Sequence, residues 1–265
     1  MPSPSHHTQD LWISSLHGRL FVRIWSPDHL SPSFDEAPIV LFHDSLGCVE
    51  LWREFPAKLA SITGRTVVAY DRLGFGRSSA HPGQLAYGFV GDEAERDFPL
   101  VKDSLGIREF IAFGHSVGGG MATHCANLHR EHCLALITES AQAFVEDRTL
   151  AGIREAKQGF QQDDQLDRLR KYHGDKARWV LEAWTETWLS PGFADWNLEA
   201  EVGRLDCPVL AIHGDQDEFG SELHPQQIAR LTDGPSRMLL IEDCGHVPHR
   251  EKPETVLLAV AELLR

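Results

Sequence analysis

The chain has no long apolar run. No stretch approaches the roughly 18 consecutive apolar residues that a membrane span requires, so no membrane partner is expected. Its opening residues, Met1-Pro2-Ser3-Pro4-Ser5-His6-His7, lack a basic stretch followed by an apolar core, and no secretory signal is expected either. Cysteine is sparse and scattered. Cys48, Cys125, Cys133, Cys207 and Cys244 make an odd number with no C-x-x-C pair, which argues against a disulfide framework or a zinc knuckle. They read as small buried residues in a reducing compartment, and the expected location is cytoplasmic. Basic charge is in deficit as well: Lys and Arg number 25 against 39 Asp and Glu, a formal net charge of −14. That excludes a nucleic-acid or anionic-membrane surface and favours plain solubility. Internal repeats, low-complexity tracts, dinucleotide fingerprints and metal-ligand clusters are all missing, so no metal and no organic cofactor is expected.

What is present is an ordinary globular composition. The 265 residues are 42% hydrophobic and 24% charged, with a mean hydropathy of −0.27. That length suffices for one large domain, or for a core with a modest insertion. Leu20-Phe21-Val22-Arg23-Ile24-Trp25 alternates and predicts an early antiparallel edge strand. Short apolar, β-branched runs follow at 39–42, 66–70, 110–113, 134–137, 209–212 and 238–241. Helical stretches separate them, the pattern of a parallel sheet covered on both faces. Pro253 opens a final helix whose Val256, Leu257, Val260, Leu263 and Leu264 share one face.

This rhythm breaks between about 143 and 200, where the period is helical throughout. Leu150, Ile153 and Phe160 mark one helix, Leu166, Leu169 and Tyr172 a second, and Trp179, Val180, Ala183, Trp184, Thr187 and Trp188 a third. Residues 1–142 and 201–265 are therefore expected to form the core and 143–200 an all-helical cap over the sheet's carboxyl edge, where ligands bind in open α/β sheets. Four of the seven tryptophans fall between 179 and 196, concentrating aromatic surface there.

Gly114-His115-Ser116-Val117-Gly118 fits G-x-S-x-G. With glycine and serine each about 7% of residues, about 0.1 chance matches are expected in a chain of this length, so context has to carry the motif. A buried strand ends at Phe113 and a helix begins just after Ser116. Such a turn strains the serine and lifts its hydroxyl above the sheet. A serine hydroxyl needs a base, and His246 follows the last strand directly in Asp243-Cys244-Gly245-His246, with His249 a competitor closer to the final helix. The base needs a carboxylate. Asp217 follows the strand at 209–212 in His213-Gly214-Asp215-Gln216-Asp217, Asp215 reads as a turn residue, and Glu139 is the alternative acid at another strand end. A developing oxyanion needs donors; the expected ones are the backbone N–H groups of Val117 and of Ser45, the latter in the turn His43-Asp44-Ser45-Leu46-Gly47.

These residues, with the segment Asp71-Arg72-Leu73-Gly74-Phe75-Gly76-Arg77-Ser78, together resemble the α/β-hydrolase fold superfamily over nearly the whole chain. The resemblance implies a mostly parallel eight-stranded sheet flanked by helices with a helical cap. It also implies a serine hydrolase of carboxylesterase type that cleaves a small ester, thioester or amide through an acyl-enzyme. A C–C bond hydrolase of aromatic ring-fission products and a cofactor-free oxygenase or peroxidase share the frame. From another class, so does a non-catalytic small-ligand receptor. The expected partner is a small apolar or aromatic substrate, met by a monomer or homodimer, with His43, Trp184, Trp188, Phe193 and Trp196 as candidate pocket residues. One position departs from the pattern: Asp44 stands where the superfamily usually has glycine after the histidine of the oxyanion turn. Its carboxylate must point away from the oxyanion if that site is to form.

Overall fold

A computed structural model describes residues 7–27 and 33–265. The strands are β1 (His7–Ser15), β2 (Gly18–Ser26), β3 (Ile39–Phe42), β4 (Val67–Tyr70), β5 (Phe110–His115), β6 (Cys133–Glu139), β7 (Val209–Gly214) and β8 (Ser236–Ile241). They form one eight-stranded sheet in the order β1-β2-β4-β3-β5-β6-β7-β8. β1 and β2 pair antiparallel, as do β2 and β4, and every other neighbour pair is parallel. The runs read from sequence as buried strands are buried along their whole length in β3, β4, β5 and β7. Leu20–Trp25, by contrast, is not an edge. β1 lies outside it, paired from His7↔Ser26 to Ser15↔Gly18. β1 has one fully buried residue, Ile13, and is otherwise largely polar and exposed, so it offers no apolar run to mark it.

Helices α1 (Phe55–Thr63), α2 (Phe89–Glu95), α3 (Asp97–Ser104) and α4 (Val117–Leu128) fill the connections up to β6. Between β6 and β7 come α5 (Asp147–Gly159), α6 (Asp163–His173), α7 (Ala177–Trp188) and the single turn α8 (Glu199–Val202). The only β pairing described in that stretch is an isolated bridge between Phe144 and Asn197. α9 (Leu223–Leu231), α10 (Pro248–Glu251) and α11 (Pro253–Leu263) complete the chain. Val256, Leu257 and Val260 of α11 are buried in the core on one face of the sheet, beside Phe21, Leu41, Ile111 and Phe113. The opposite face buries Val40, Phe98, Phe110 and Met121, and Ile153, Trp188, Phe193 and Leu198 of the helical stretch join that same core. Leu166, Leu169, Val180 and Leu181 form a smaller cluster around Phe75. The helical stretch is thus rooted in the sheet's own core at one end and packed on itself at the other. None of the described helices is long and apolar enough to cross a membrane.

Candidate active site

Ser116 occupies the one residue between β5 and α4, with φ 56° and ψ −127°. A side chain rarely adopts such angles, and the strain persists only where the surroundings fix it. Here the Ser116 N–H donates to the Glu139 carbonyl at 2.8 Å, and the Ser116 carbonyl accepts from the Gly119 N–H at 2.8 Å. The flanking glycines make the turn possible: a Cβ on Gly114 would strike the carbonyl of Gly118, and one on Gly118 the carbonyl of Phe42. This second contact presses the turn after β3 against the first turn of α4. Ser45 of that turn lines the same cavity as Ser116, and Val117 is the first residue of α4. Neither the Ser45 nor the Val117 backbone N–H donates to another backbone group among the described residues.

The loops after β7 and β8 complete the arrangement. His246 Nε2 lies 3.0 Å from Ser116 Oγ, and His246 Nδ1 lies 2.8 and 2.9 Å from the two carboxylate oxygens of Asp217. Asp217 is fully buried and also accepts the Phe219 N–H at 2.8 Å. Burial pushes its carboxyl up, but the hydrogen bond from His246 and the nearby His213 ring outweigh that and hold it below the ordinary carboxylate range. Asp215 accepts the Cys244 N–H at 3.3 Å, a bond that ties the loop after β7 to the one after β8.

The alternative acid goes elsewhere. Glu139 Oε2 accepts from His249 Nδ1 at 2.5 Å, and the His249 ring packs against Trp52 and Phe55, with centroids 4.7 and 5.3 Å away. Burial pushes Glu139 up and His249 down; His249 overcomes the first effect, so both lie below their ordinary values. Glu139 is an ionised acceptor and His249 its neutral donor, and neither faces His246 in the line to Ser116.

A cavity of about 240 Å³ opens over Ser116 and His246. Of the candidate pocket residues, Trp184 and Trp188 line it. His43, Phe193 and Trp196 do not. His43 is buried beneath the turn, its Nδ1–H bonded to the Asp44 carbonyl at 2.8 Å and its Nε2 accepting the Arg72 N–H at 3.2 Å. Phe193 is buried in the core, and Trp196 stacks on it at 5.4 Å. The pattern marked these residues as aromatic but not which way each side chain turns. Conversely, the wall includes Leu51, Gln142, Ile153, Phe219 and Arg250, which sequence reasoning passed over. Gln142 Oε1 lies 3.5 Å from Ser116 Oγ; its place just beyond β6, at the carboxyl edge of the sheet, was the available signal.

Asp44 lines the same cavity, with its carboxylate engaged within the turn and beside His115. Its Oδ1 accepts the Leu46 N–H at 2.8 Å, and Oδ2 lies 3.4 Å from His115 Nδ1. Among the described residues, one group of three possible metal ligands gathers, His115, Glu139 and His249, within 4.8 Å of one another. Their chemistry does not suit a metal, because His249 Nδ1 is committed to Glu139 and both ring nitrogens of His115 face oxygen acceptors. A metal needs lone pairs that these nitrogens do not offer.

A mostly parallel sheet of this strand order, with a serine at a strained strand-to-helix turn and a histidine and aspartate on later loops, is the architecture of the α/β-hydrolase class. Residues 37–177, just over half the chain, match the model of the alpha/beta hydrolase fold family, and the chain belongs to that family. It is 36% identical over 102 residues to a (lyso)-N-acylphosphatidylethanolamine lipase of Bos taurus, covering 38% of this chain and 29% of that protein. To a non-heme haloperoxidase of Rhodococcus erythropolis it is 26% identical over 185 residues, covering 59% of this chain and 66% of that one. The matched stretch spans less than two thirds of either relative's length. In structure the chain is similar to a proline iminopeptidase of Mycobacterium smegmatis, with a TM-score of 0.74 at 21% identity, covering 97% of both chains. At that identity the likeness is one of fold.

Proposed function

We propose that the protein is a serine hydrolase that cleaves a small ester, thioester or amide through Ser116, His246 and Asp217. The observation that carries this reading is the unbroken hydrogen-bonded line from Ser116 Oγ through His246 to the buried Asp217, at the floor of a cavity. Asp217 holds the proton of His246 on Nδ1, which leaves Nε2 free to take the proton of Ser116. Ser116 Oγ then attacks the substrate carbonyl, and the N–H groups of Val117 and Ser45 receive the oxyanion. His246 gives its proton to the leaving group, and water admitted by the same base hydrolyses the acyl-enzyme.

The segment 143–200 acts as a cap that supplies Thr149, Ile153, Trp184 and Trp188 to the cavity. Its volume and its largely aliphatic and aromatic wall favour a short, apolar or aromatic acyl group. The test is turnover of short p-nitrophenyl esters by the wild type and by Ser116→Ala, alongside a vinylogous diketo acid. Ester cleavage that vanishes in Ser116→Ala is expected. Cleavage of the diketo acid alone would move the activity to C–C bonds, and no difference between the two proteins would remove Ser116 from the chemistry.

A further inference from the structure

Asp44 lies in the turn after β3, and its carboxylate pairs with His115. His115 sits one residue before Ser116 and is 2% exposed. Its Nδ1 lies 3.4 Å from Asp44 Oδ2, and its Nε2 lies 2.8 Å from the carbonyl oxygen of His246. A carboxylate and a peptide carbonyl only accept hydrogen bonds. The Nε2–H donates to the His246 carbonyl, so Nδ1 is the nitrogen that faces the Asp44 carboxylate; a lone pair there would oppose an anionic oxygen, whereas a proton completes an ion pair and makes the ring an imidazolium.

We infer that His115, held as a buried imidazolium, is a positioning residue for the Ser116 reaction: its ion pair with Asp44 holds the turn that presents the Ser45 amide, and its Nε2–H fixes the backbone of His246. The inference rests on the serine-hydrolase reading above and adds a requirement to it. β3 and β8 are separated in the sheet by β5, β6 and β7, so the oxyanion turn and the His246 loop share no strand ladder. His115, at the end of β5, reaches both, by an ion pair to Asp44 and a hydrogen bond to the His246 carbonyl. Asp44 is tied in turn to the rest of the turn through Leu46 and through its own carbonyl, which accepts from Arg72 Nη2 at 2.8 Å.

The surroundings favour the charge. The groups facing the ring are the carboxylates of Asp44 and Glu139, the His246 carbonyl, the rings of His246 and His249 at 5.1 Å each, and Trp52 at 6.3 Å. Burial pulls the His115 ring below the ordinary histidine value, but the two carboxylates and the carbonyl outweigh it and leave it raised. Asp44 shows the complement: burial pushes it up, and His115 brings it well below the usual range. Removing one proton from His115 would set a nitrogen lone pair against an oxygen lone pair. Either the Ser45 turn or the His246 loop would then shift, with loss of rate rather than of substrate affinity. His115 thus sets an alkaline limit on turnover that His246, which must be neutral to accept a proton, does not.

The test combines protonation with kinetics. In protein carrying ¹⁵N-labelled histidine, assigned through His115→Asn, the imidazole nitrogen shifts should report a doubly protonated ring at pH 7. A singly protonated ring in the wild type overturns the inference. For a short ester, kcat should fall on the alkaline side. Asp44→Asn should move that fall to lower pH and reduce kcat by about ten- to a hundredfold, with KM nearly unchanged, and Asp44→Glu should restore part of it. An alkaline limb indifferent to Asp44→Asn also overturns the inference. If no ester is cleaved at all, the hydrolase reading fails with it; cleavage by a protein whose His115 is neutral defeats the positioning role alone.

Discussion

Asp217 with His246 and Glu139 with His249 are two versions of one construction, a fully buried carboxylate beneath an imidazole supplied by the stretch after β8. In the first, the ring's far nitrogen meets Ser116 Oγ at 3.0 Å beside an open cavity. In the second, the ring is walled in by Trp52 and Phe55, and no hydroxyl is bonded to it among the described residues. The chemistry of the two pairs is nearly the same, and what each imidazole faces separates them. A carboxylate–histidine pair becomes a base only where a nucleophile and solvent reach its second nitrogen. Where aromatic rings take that place, it is a structural joint.

The largest effects should come from the first pair. Ser116→Ala and His246→Ala are each expected to lower kcat/KM for a short ester by about 10⁴- to 10⁶-fold, and Asp217→Asn by about 10²- to 10⁴-fold. Glu139→Gln should stay within about tenfold of wild type per folded molecule. Steady-state kinetics decide it, and a larger loss in Glu139→Gln than in Asp217→Asn would reverse the two roles.

The second pair should answer in stability instead. His249→Ala leaves an ionised Glu139 buried without its donor and empties a space between Trp52 and Phe55. The expected cost is about 3–5 kcal/mol, or roughly 10 °C in Tm for a protein of this size. Thermal unfolding followed by circular dichroism measures it, and an unchanged Tm would mean that the joint bears no weight.

The pairs also differ in what acid does to them. His249 is held below the ordinary histidine value, chiefly by burial. As pH falls below about 6.5, the unfolded chain binds a proton that the folded ring refuses. Stability is complete above that pH and is lost at about 1.4 kcal/mol per unit per group until the folded value is reached. His173 and His224, each pushed down to about 4 mainly by burial, add to the same window. Denaturant midpoints measured from pH 7 to 4 should therefore drop steeply, and His249→Asn should flatten part of the slope. The carboxylates act lower: Asp217 and Glu139 are both depressed, so their contribution is present above the unfolded carboxylate value and fades only as pH falls through the folded one. A midpoint independent of pH between 7 and 4 would contradict the neutral state of these rings.

The smallest effect expected is at the cavity wall. Trp184→Ala should raise KM for an aromatic ester by about three- to tenfold with kcat nearly kept, because it removes apolar contact without touching Ser116. A fall confined to kcat would place Trp184 closer to the reacting atoms than the geometry does.

Much of this was readable along the chain, for physical reasons that also mark where reading stopped. β3, β4, β5 and β7 are buried on both faces and so appear as continuous apolar runs, and α5, α6 and α7 appear through their periodicity. β1 was invisible because an exposed edge strand needs no apolar residues to pair. Ser116, Asp217 and His246 could be nominated because each lies next to a strand end. Choosing between Asp217 and Glu139 was a question of distance across the sheet, which no local pattern encodes. His43 and Phe193 were misplaced for the same reason: their side chains turn inward, beneath the turn and into the core. Asp44 stood out as a departure, yet its partner His115 became visible only once β3 and β5 were adjacent.

The central claim is that Ser116 is the nucleophile of this site, and stoichiometric labelling by a fluorophosphonate, read by mass spectrometry of the modified peptide, tests it most directly. The account predicts one adduct per chain, on Ser116, absent from Ser116→Ala and strongly slowed in His246→Ala. Equal labelling of wild type and Ser116→Ala, or an adduct on another residue, would contradict it.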